Sequence, residues 1–166
     1  ISPDKSGIQV YNSEAEVHHN LIKVRHDGVM FHNQAQGSIY NNTIVATDDS
    51  ENLGVWIYNL TEVPVTNNII DGFDGGIYYE NDQVSNDFRY NTLFNISGSH
   101  FSGSGMPVYI GVFGDTIELE DGTVFSSDIL GNMNLDPLFA MPSENNYELQ
   151  LGSSCINTGD PAMLDL

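Results

Sequence analysis

The chain has 166 residues, which suits one domain, and its 23 acidic residues against four basic ones give a formal net charge of −19. Such a charge argues against nucleic acids and anionic membranes as partners, because few cations are available to neutralise phosphates. No apolar run approaches the roughly 20 residues of a membrane span, so we expect no membrane insertion. The charge is typical of an extracellular or cell-surface protein in salty or calcium-containing surroundings, where counterions screen self-repulsion.

One six-residue motif occurs four times in the first half of the chain. Each copy has a glycine first, apolar residues second and fourth, and an asparagine sixth. The copies span residues 7–12, 28–33, 54–59 and 76–81, and their glycines lie 21, 26 and 22 residues apart. The alternation of apolar residues with a period of two indicates β-strands.

A second motif with an asparagine in fourth place lies between these copies and shares their period. Its copies span residues 17–22, 39–44, 65–70 and 88–93, with asparagines 22, 26 and 23 residues apart. Two motifs with one period of about 22 residues predict an all-β solenoid in which equivalent strands of successive coils pair in parallel. Asparagine tolerates the left-handed bends between sheets, and stacked asparagines can bond from coil to coil. We therefore expect two ladders, Asn12, Asn33, Asn59 and Asn81 in one and Asn20, Asn42, Asn68 and Asn91 in the other.

The same alternation assigns the side chains to the inside or the outside of the solenoid. Three rows should point inward: Val29, Val55 and Ile77; Phe31, Ile57 and Tyr79; and Ile22, Ile44, Ile70 and Leu93. Two rows of the glycine motif should point outward: Gln9, Met30, Trp56 and Tyr78; and Tyr11, His32, Tyr58 and Glu80.

The outward rows are rich in large rings, which predicts a binding face for sugars. A soluble protein seldom exposes such a patch without a reason, and flat rings stack on the apolar faces of pyranoses. The expected partner is a polysaccharide or a cell-surface glycan. The predicted binding residues are Met30, His32, Trp56, Tyr58 and Tyr78, with Trp56 at the centre. In the alternative interpretation a later insertion folds back and covers these rings, so that they belong to the core.

The connections between the strands are uneven. The third coil contains four extra residues in an acidic loop, which makes Asp48, Asp49 and Glu51 candidate Ca²⁺ ligands, with a solvated loop as the alternative. The repeat pattern ends near residue 98. We predict repeat coils over 1–98, a loop or hairpin insertion over 99–131, and a final coil with a C-terminal cap over 132–166.

The repeats, together with the segments Asp-Pro-Leu-Phe at 136–139 and 147–161 at the end of the chain, resemble the right-handed parallel β-helix of pectate-lyase-like proteins. The resemblance implies a secreted bacterial protein of which this chain is the C-terminal portion, with an N-terminal remainder of the same β-helix missing. It also implies an activity on polysaccharides, although the fold serves many functions.

In the lyases of this superfamily a lysine or arginine removes a proton, and a cation or Ca²⁺ neutralises the uronate carboxylate. Here the basic residues cluster in 23–27, where the resemblance suggests Lys23, Arg25 and His26 as catalytic groups and Asp27 as the residue that orients them. The alternatives are an exposed polar strand and, for the whole chain, a non-catalytic adhesin or structural solenoid. If these residues lay on a different sheet from the aromatic rows, the non-catalytic module would be favoured.

Overall fold

Short strands are the main regular structure in this computed structural model, which describes residues 6–47, 52–58, 63–80, 88–103, 116–118, 124–126 and 131–160. Thirteen of these strands, β1 to β13, form three sheets, which we call A, B and C. Sheet A contains β1 (Ile8–Tyr11), β4 (Val29–His32), β7 (Leu53–Tyr58), β10 (Gly75–Tyr79) and β13 (Phe101–Ser102). Sheet B contains β2 (Glu14–His18), β5 (Gln36–Tyr40), β8 (Val65–Thr66) and β11 (Phe88–Arg89). Sheet C contains β3 (Leu21–Val24), β6 (Thr43–Ala46), β9 (Ile69–Asp71) and β12 (Thr92–Phe94).

All neighbouring strands in these three sheets are parallel, and each strand pairs with its equivalent one coil later. The register follows the sequence motifs, since Val29 pairs with Ile8 on one side and with Val55 on the other. One strand from each sheet therefore makes one coil, and the chain winds through four coils before β13. The predicted parallel β-helix is confirmed.

The predicted core is also confirmed. Nine of the ten residues in the three inward rows are at most 1% exposed, and Ile22 of the first coil is 7% exposed. Tyr79 is buried to the same extent as its aliphatic neighbours, with its ring edge-on to Phe88 at 6.0 Å. The three rows meet in one continuous hydrophobic cluster along the axis of the β-helix.

The repeated glycine is required by packing between sheets A and C. A Cβ atom on Gly28 would lie 2.4 Å from the side chain of Ile44, and one on Gly54 would lie 2.3 Å from that of Ile70. Gly76 has the same relation to Leu93, at 2.4 Å. The glycine row therefore leaves room for the inward apolar row of sheet C, which explains why the two motifs repeat together.

The asparagine ladder at the bend between sheets B and C is confirmed. The side-chain amide of Asn42 donates to Asn68 Oδ1 at 2.9 Å, and that of Asn68 donates to Asn91 Oδ1 at 3.0 Å. The backbone N–H of each asparagine donates to the same oxygen in the next coil. The ladder has five rungs, because the Asn91 amide donates to Asn132 Oδ1 at 3.1 Å. Asn132 was not among the predicted rungs.

The predicted backbone role of these asparagines is wrong in one respect. The left-handed residue at each bend is the one before the ladder asparagine: His19, Asn41, Asn67, Tyr90 and Gly131, with φ between 54° and 65°. The ladder asparagines themselves use their amides to satisfy the carbonyls that the bend exposes, such as Val17 O and Ile39 O.

The other asparagine row differs. Asn12 and Asn33 lie at the bend between sheets A and B with φ of 45° and 57°, as expected for asparagine in a left-handed position. Both side chains are exposed. Asn59 and Asn81 lie outside the described residues, so the predicted ladder at this bend stays a prediction.

The repeat continues beyond the predicted boundary at residue 98, because Phe101 and Ser102 pair with Ile77 and Tyr78 on sheet A. The expected hairpin occurs later, where β14 (Thr116–Glu118) and β15 (Val124–Ser126) pair antiparallel. Asn132 and Met133 then return to the solenoid, and Met133 bridges to Thr92 in parallel.

The described C-terminal segment lies along the flank of the coils. It contains β16 (Phe139–Met141), a 3₁₀ turn (Pro142–Glu144) and β17 (Asn146–Leu149), and the two strands form an antiparallel pair. Lys23 in the first coil contacts Asn145 and lies 5.4 Å from the centroid of the Tyr147 ring, whereas Thr92 in the fourth coil contacts Cys155 at 3.3 Å. No helix in the part of the chain that the structure describes is long and apolar enough to cross a membrane.

Candidate functional site

The outer face of sheet A carries the two predicted outward rows. In the central row, Gln9, Met30, Trp56 and Tyr78 are in register from coil to coil. In the edge row, nearer to the bend toward sheet B, Tyr11, His32 and Tyr58 are in register, and the backbone bond from Glu80 N to Ile57 O places Glu80 next.

The central row is less exposed than predicted. Met30 is only 4% exposed, because Gln9 and Trp56 flank it on the neighbouring strands and the Gln9 amide lies 3.8 Å from its sulfur. The prediction that Met30 presents an open binding surface is therefore wrong. Trp56 is partly exposed, and its ring packs edge-to-face on Tyr78 with the centroids 6.3 Å apart.

The indole nitrogen of Trp56 is buried and has no hydrogen-bond partner among the described residues. A buried indole N–H usually finds an acceptor, so this atom is an unused donor at the centre of the face. The alternative interpretation, in which the 99–131 insertion covers the rings, stays a prediction, because residues 104–115, 119–123 and 127–130 lie outside the described residues.

The edge row is the most exposed aromatic surface of the described chain. Tyr11 is 59% exposed and Tyr58 52% exposed. His32 lies between them in register, with its ring 4.9 Å from that of Tyr11 and its Nε2 2.6 Å from the Gln9 amide. Tyr11 was not among the predicted binding residues, although its place in the first copy of the motif could have identified it.

Carboxylate and phenol groups lie together at the far end of the face. The pKa of Tyr78 is raised, first by partial burial and then by the neighbouring Glu80 carboxylate and Tyr58 phenol. The Tyr78 hydroxyl can donate a hydrogen bond to a ligand, with Glu80 as an acceptor beside it.

The predicted catalytic residues lie elsewhere. Lys23 is on β3 of sheet C, where its ammonium group donates to Asn145 Oδ1 of the C-terminal segment. Lys23 therefore binds the C-terminal segment from sheet C, whereas the aromatic rows lie on sheet A.

Arg25, His26 and Asp27 follow at the bend between sheets C and A. Arg25 and His26 are exposed, and Arg25 O accepts the Asn52 amide at 3.5 Å. Asp27 Oδ1 accepts the backbone N–H of Leu53 at 2.9 Å, so this carboxylate supports the bend of the next coil. The structure thus places Lys23 on sheet C and residues 25–27 at its bend toward sheet A, and none of the four predicted catalytic residues lies on a strand of the aromatic face.

The predicted calcium ligands Asp48, Asp49 and Glu51 lie outside the described residues. Among the residues that the structure describes, no three histidine, cysteine, aspartate or glutamate side chains converge as metal ligands. An open groove of about 640 Å³ lies along the bends between sheets C and A, and the polar groups of Asn52, Asp74 and Ser97 line it.

The model of the "Right handed beta helix region" family matches residues 1–134. No curated protein and no solved structure matches the chain significantly. The family match covers all four coils and extends to the fifth asparagine of the ladder, and it agrees with the three parallel sheets. The chain therefore belongs to the right-handed β-helix family.

Proposed function

We propose that this chain is an extracellular carbohydrate-binding β-helix that holds a polysaccharide or cell-surface glycan on the outer face of sheet A. The observation that carries the proposal is the edge row of exposed rings, with Tyr11 and Tyr58 two coils apart and His32 between them.

The spacing of this row suits a chain of sugar rings. Parallel strands lie about 4.8 Å apart, so Tyr11 and Tyr58 are separated by about 10 Å, roughly the length of a disaccharide. Tyrosine gives a rigid apolar platform with a polar edge at small entropic cost. The central row supplies a polar group beside the platform, the Tyr78 hydroxyl.

The proposal is for binding and not for catalysis. The suggested catalytic group belongs to sheet C and to its bend toward sheet A, and two of its members already make structural contacts: Lys23 with Asn145, and Asp27 with Leu53 N–H. A lyase would need its base beside the bound uronate. Calcium enters the proposal only through Asp48, Asp49 and Glu51, which could bridge an acidic glycan to this acidic chain.

The test is a glycan array probed with the wild type and with the Tyr11→Ala/Tyr58→Ala variant, with calcium and with a chelator. Both tyrosines are more than half exposed, so their loss should leave the melting temperature nearly unchanged while signals on the array drop at least about tenfold. Tyr40→Ala is the matched control, because Tyr40 is an outward ring on sheet B. An array on which the double variant retains the wild-type signals, or on which the wild type binds nothing, would refute the proposal.

A structural or adhesin-type solenoid is the second candidate. It is favoured by the same engaged contacts of Lys23 and Asp27, and by an asparagine ladder whose amides are satisfied within the fold. In that case the outer face would display rings without a soluble sugar ligand, and the array would be blank.

A further inference from the structure

Two histidines on the opposite side of the molecule from the proposed glycan face form a second candidate site. His18 is the last residue of β2 on sheet B, and His19 begins the bend toward sheet C. Both side chains are exposed, and their Nδ1 atoms lie only 2.8 Å apart. The ring planes are nearly perpendicular, at 87°. We propose that His18 and His19 bind one divalent transition-metal ion, with Cu²⁺ and Ni²⁺ preferred to Zn²⁺.

The backbone brings these two rings together. Successive residues of an extended strand point to opposite faces, so neighbouring histidines would normally diverge. His19 has φ of 54°, which turns its side chain back toward that of His18. The equivalent positions of the next two coils hold Asn41 and Asn67 in the same left-handed conformation.

Side chains of the next coil also contact the rings of His18 and His19. The Tyr40 ring stacks on His18 with centroids 4.8 Å apart and planes 8° from parallel, and its hydroxyl donates to Glu16 at 3.3 Å. The Asn41 amide lies 3.5 Å from His19 Nε2. With the amide turned so that its oxygen accepts the Nε2 hydrogen, Asn41 would fix the tautomer in which Nδ1 is free to bind a metal.

The separation of the two nitrogens indicates which metals fit. Two nitrogens bound at about 2.0 Å lie about 2.8 Å apart when they subtend a right angle, but about 3.3 Å apart at a tetrahedral angle. The observed 2.8 Å therefore matches neighbouring positions of a square-planar or octahedral ion. Without metal, one ring donates its Nδ1 hydrogen to the other, and both Nδ1 atoms can bind a metal once the donor ring takes the tautomer with its hydrogen on Nε2. Water would complete the coordination of an exposed ion.

The surroundings favour a cation. Glu14 and Glu16 are exposed on the same face of β2, and the chain carries a net charge of −19. An acidic surface raises the local concentration of cations. The site shares no residue with the face of sheet A, so the two proposals can fail separately.

The experiment is calorimetric titration of the whole chain with CuCl₂ and NiCl₂ in a buffer that does not bind metal, together with electron paramagnetic resonance at one equivalent of Cu²⁺. His19→Asn is the main variant, because asparagine occupies the same bend in the next two coils and should keep the fold. His18→Ala removes the other ligand, and His26→Ala, an exposed histidine at a different bend, is the control.

We expect one site, a resonance spectrum with two coordinated nitrogens, and affinity that falls at least about tenfold in His18→Ala and in His19→Asn but not in His26→Ala. Zn²⁺ should bind more weakly than Cu²⁺. Wild-type affinity in His19→Asn, a spectrum with a single coordinated nitrogen, or a loss of affinity in His26→Ala as large as in the other two variants would overturn the assignment.

Discussion

The asparagine ladder offers the sharpest test of how this solenoid is stabilised, and Asn68→Ala is its most informative perturbation. Asn68 is 1% exposed. Its Oδ1 accepts the backbone N–H and the side-chain amide of Asn42 at 3.0 and 2.9 Å. Its own amide donates to Asn91 Oδ1, to Ile39 O and to Thr66 O at 3.0 to 3.1 Å.

The cost of the substitution can be worked from these bonds. The buried Asn42 N–H would lose its side-chain acceptor, which costs about 1–3 kcal/mol. The bonds to the Ile39 and Thr66 carbonyls would each be lost at about 0.5–1.5 kcal/mol. We therefore expect Asn68→Ala to lower the free energy of unfolding by about 2–6 kcal/mol, a large share of the total for a chain of this size.

Asn20→Ala is the matched control, since it makes the same substitution at the first rung. The Asn20 side chain is exposed and donates to Asn42 Oδ1 and His18 O, and water can replace both bonds. We expect a loss below about 1 kcal/mol. The measurement is urea unfolding followed by far-UV circular dichroism. The free energies of unfolding of the two variants are compared when the slopes of free energy against urea concentration are equal. Equal losses in the two variants would refute the claim that the buried ladder contributes more than its exposed end.

Three further predictions follow from the core, a close backbone contact and a half-buried histidine. Ile57→Ala should destabilise by about 2–5 kcal/mol, because Ile57 is fully buried, and a loss below 1 kcal/mol in urea unfolding would contradict its place in the core. Gly37→Ala should cost more than about 3 kcal/mol, since φ is 129° and the new Cβ would lie 1.7 Å from Ala15 O; wild-type melting of this variant would disprove the close approach of β2 and β5. Burial lowers the pKa of His100, so its contribution to stability is present above the ordinary histidine value of about 6.5 and is lost as the pH falls through the lowered folded-state pKa. In melting curves between about pH 7.5 and pH 5, His100→Gln should lose less stability on acidification than the wild type, and an unchanged slope would contradict this linkage.

The sequence predicts the repeat architecture well because the residues that recur with the period have the same structural role in each coil. Alternation places Ile44 and Ile70 inside, and a buried amide such as Asn68 must have partners in the next coil. These requirements recur in every coil, so the four copies of the motifs together predict the fold more strongly than any one copy does. The fifth rung was missed because Asn132 follows a long interruption and has no neighbouring glycine motif to identify it.

The exposed fraction of a side chain is harder to predict from the sequence than whether the side chain points into or out of the solenoid. Alternation places Met30 outside, but it does not reveal that Met30 is only 4% exposed between Gln9 and Trp56 of the neighbouring strands. In the same way, the strand pattern places Lys23 outside but cannot foresee that Asn145, more than 120 residues later, accepts its ammonium group. Contacts between an irregular C-terminal segment and the flank of a solenoid do not repeat from coil to coil, so they cannot be predicted from the sequence repeat. The convergence of His18 and His19 depends on a single left-handed residue, which the sequence does not reveal.

Binding of a glycan to the outer face of sheet A should change the fluorescence of Trp56, the single tryptophan of the chain. Trp56 is partly exposed in the central row, beside the edge row of tyrosines. Oligosaccharides would be titrated into the wild type and into Tyr58→Ala, with the emission of Trp56 and the heat of binding recorded in parallel. We expect both signals to give one dissociation constant in the wild type, and the constant to rise at least about tenfold, or about 1.4 kcal/mol, in Tyr58→Ala. Heat of binding with no change in Trp56 emission, or equal affinity in the two proteins, would contradict glycan binding on this face.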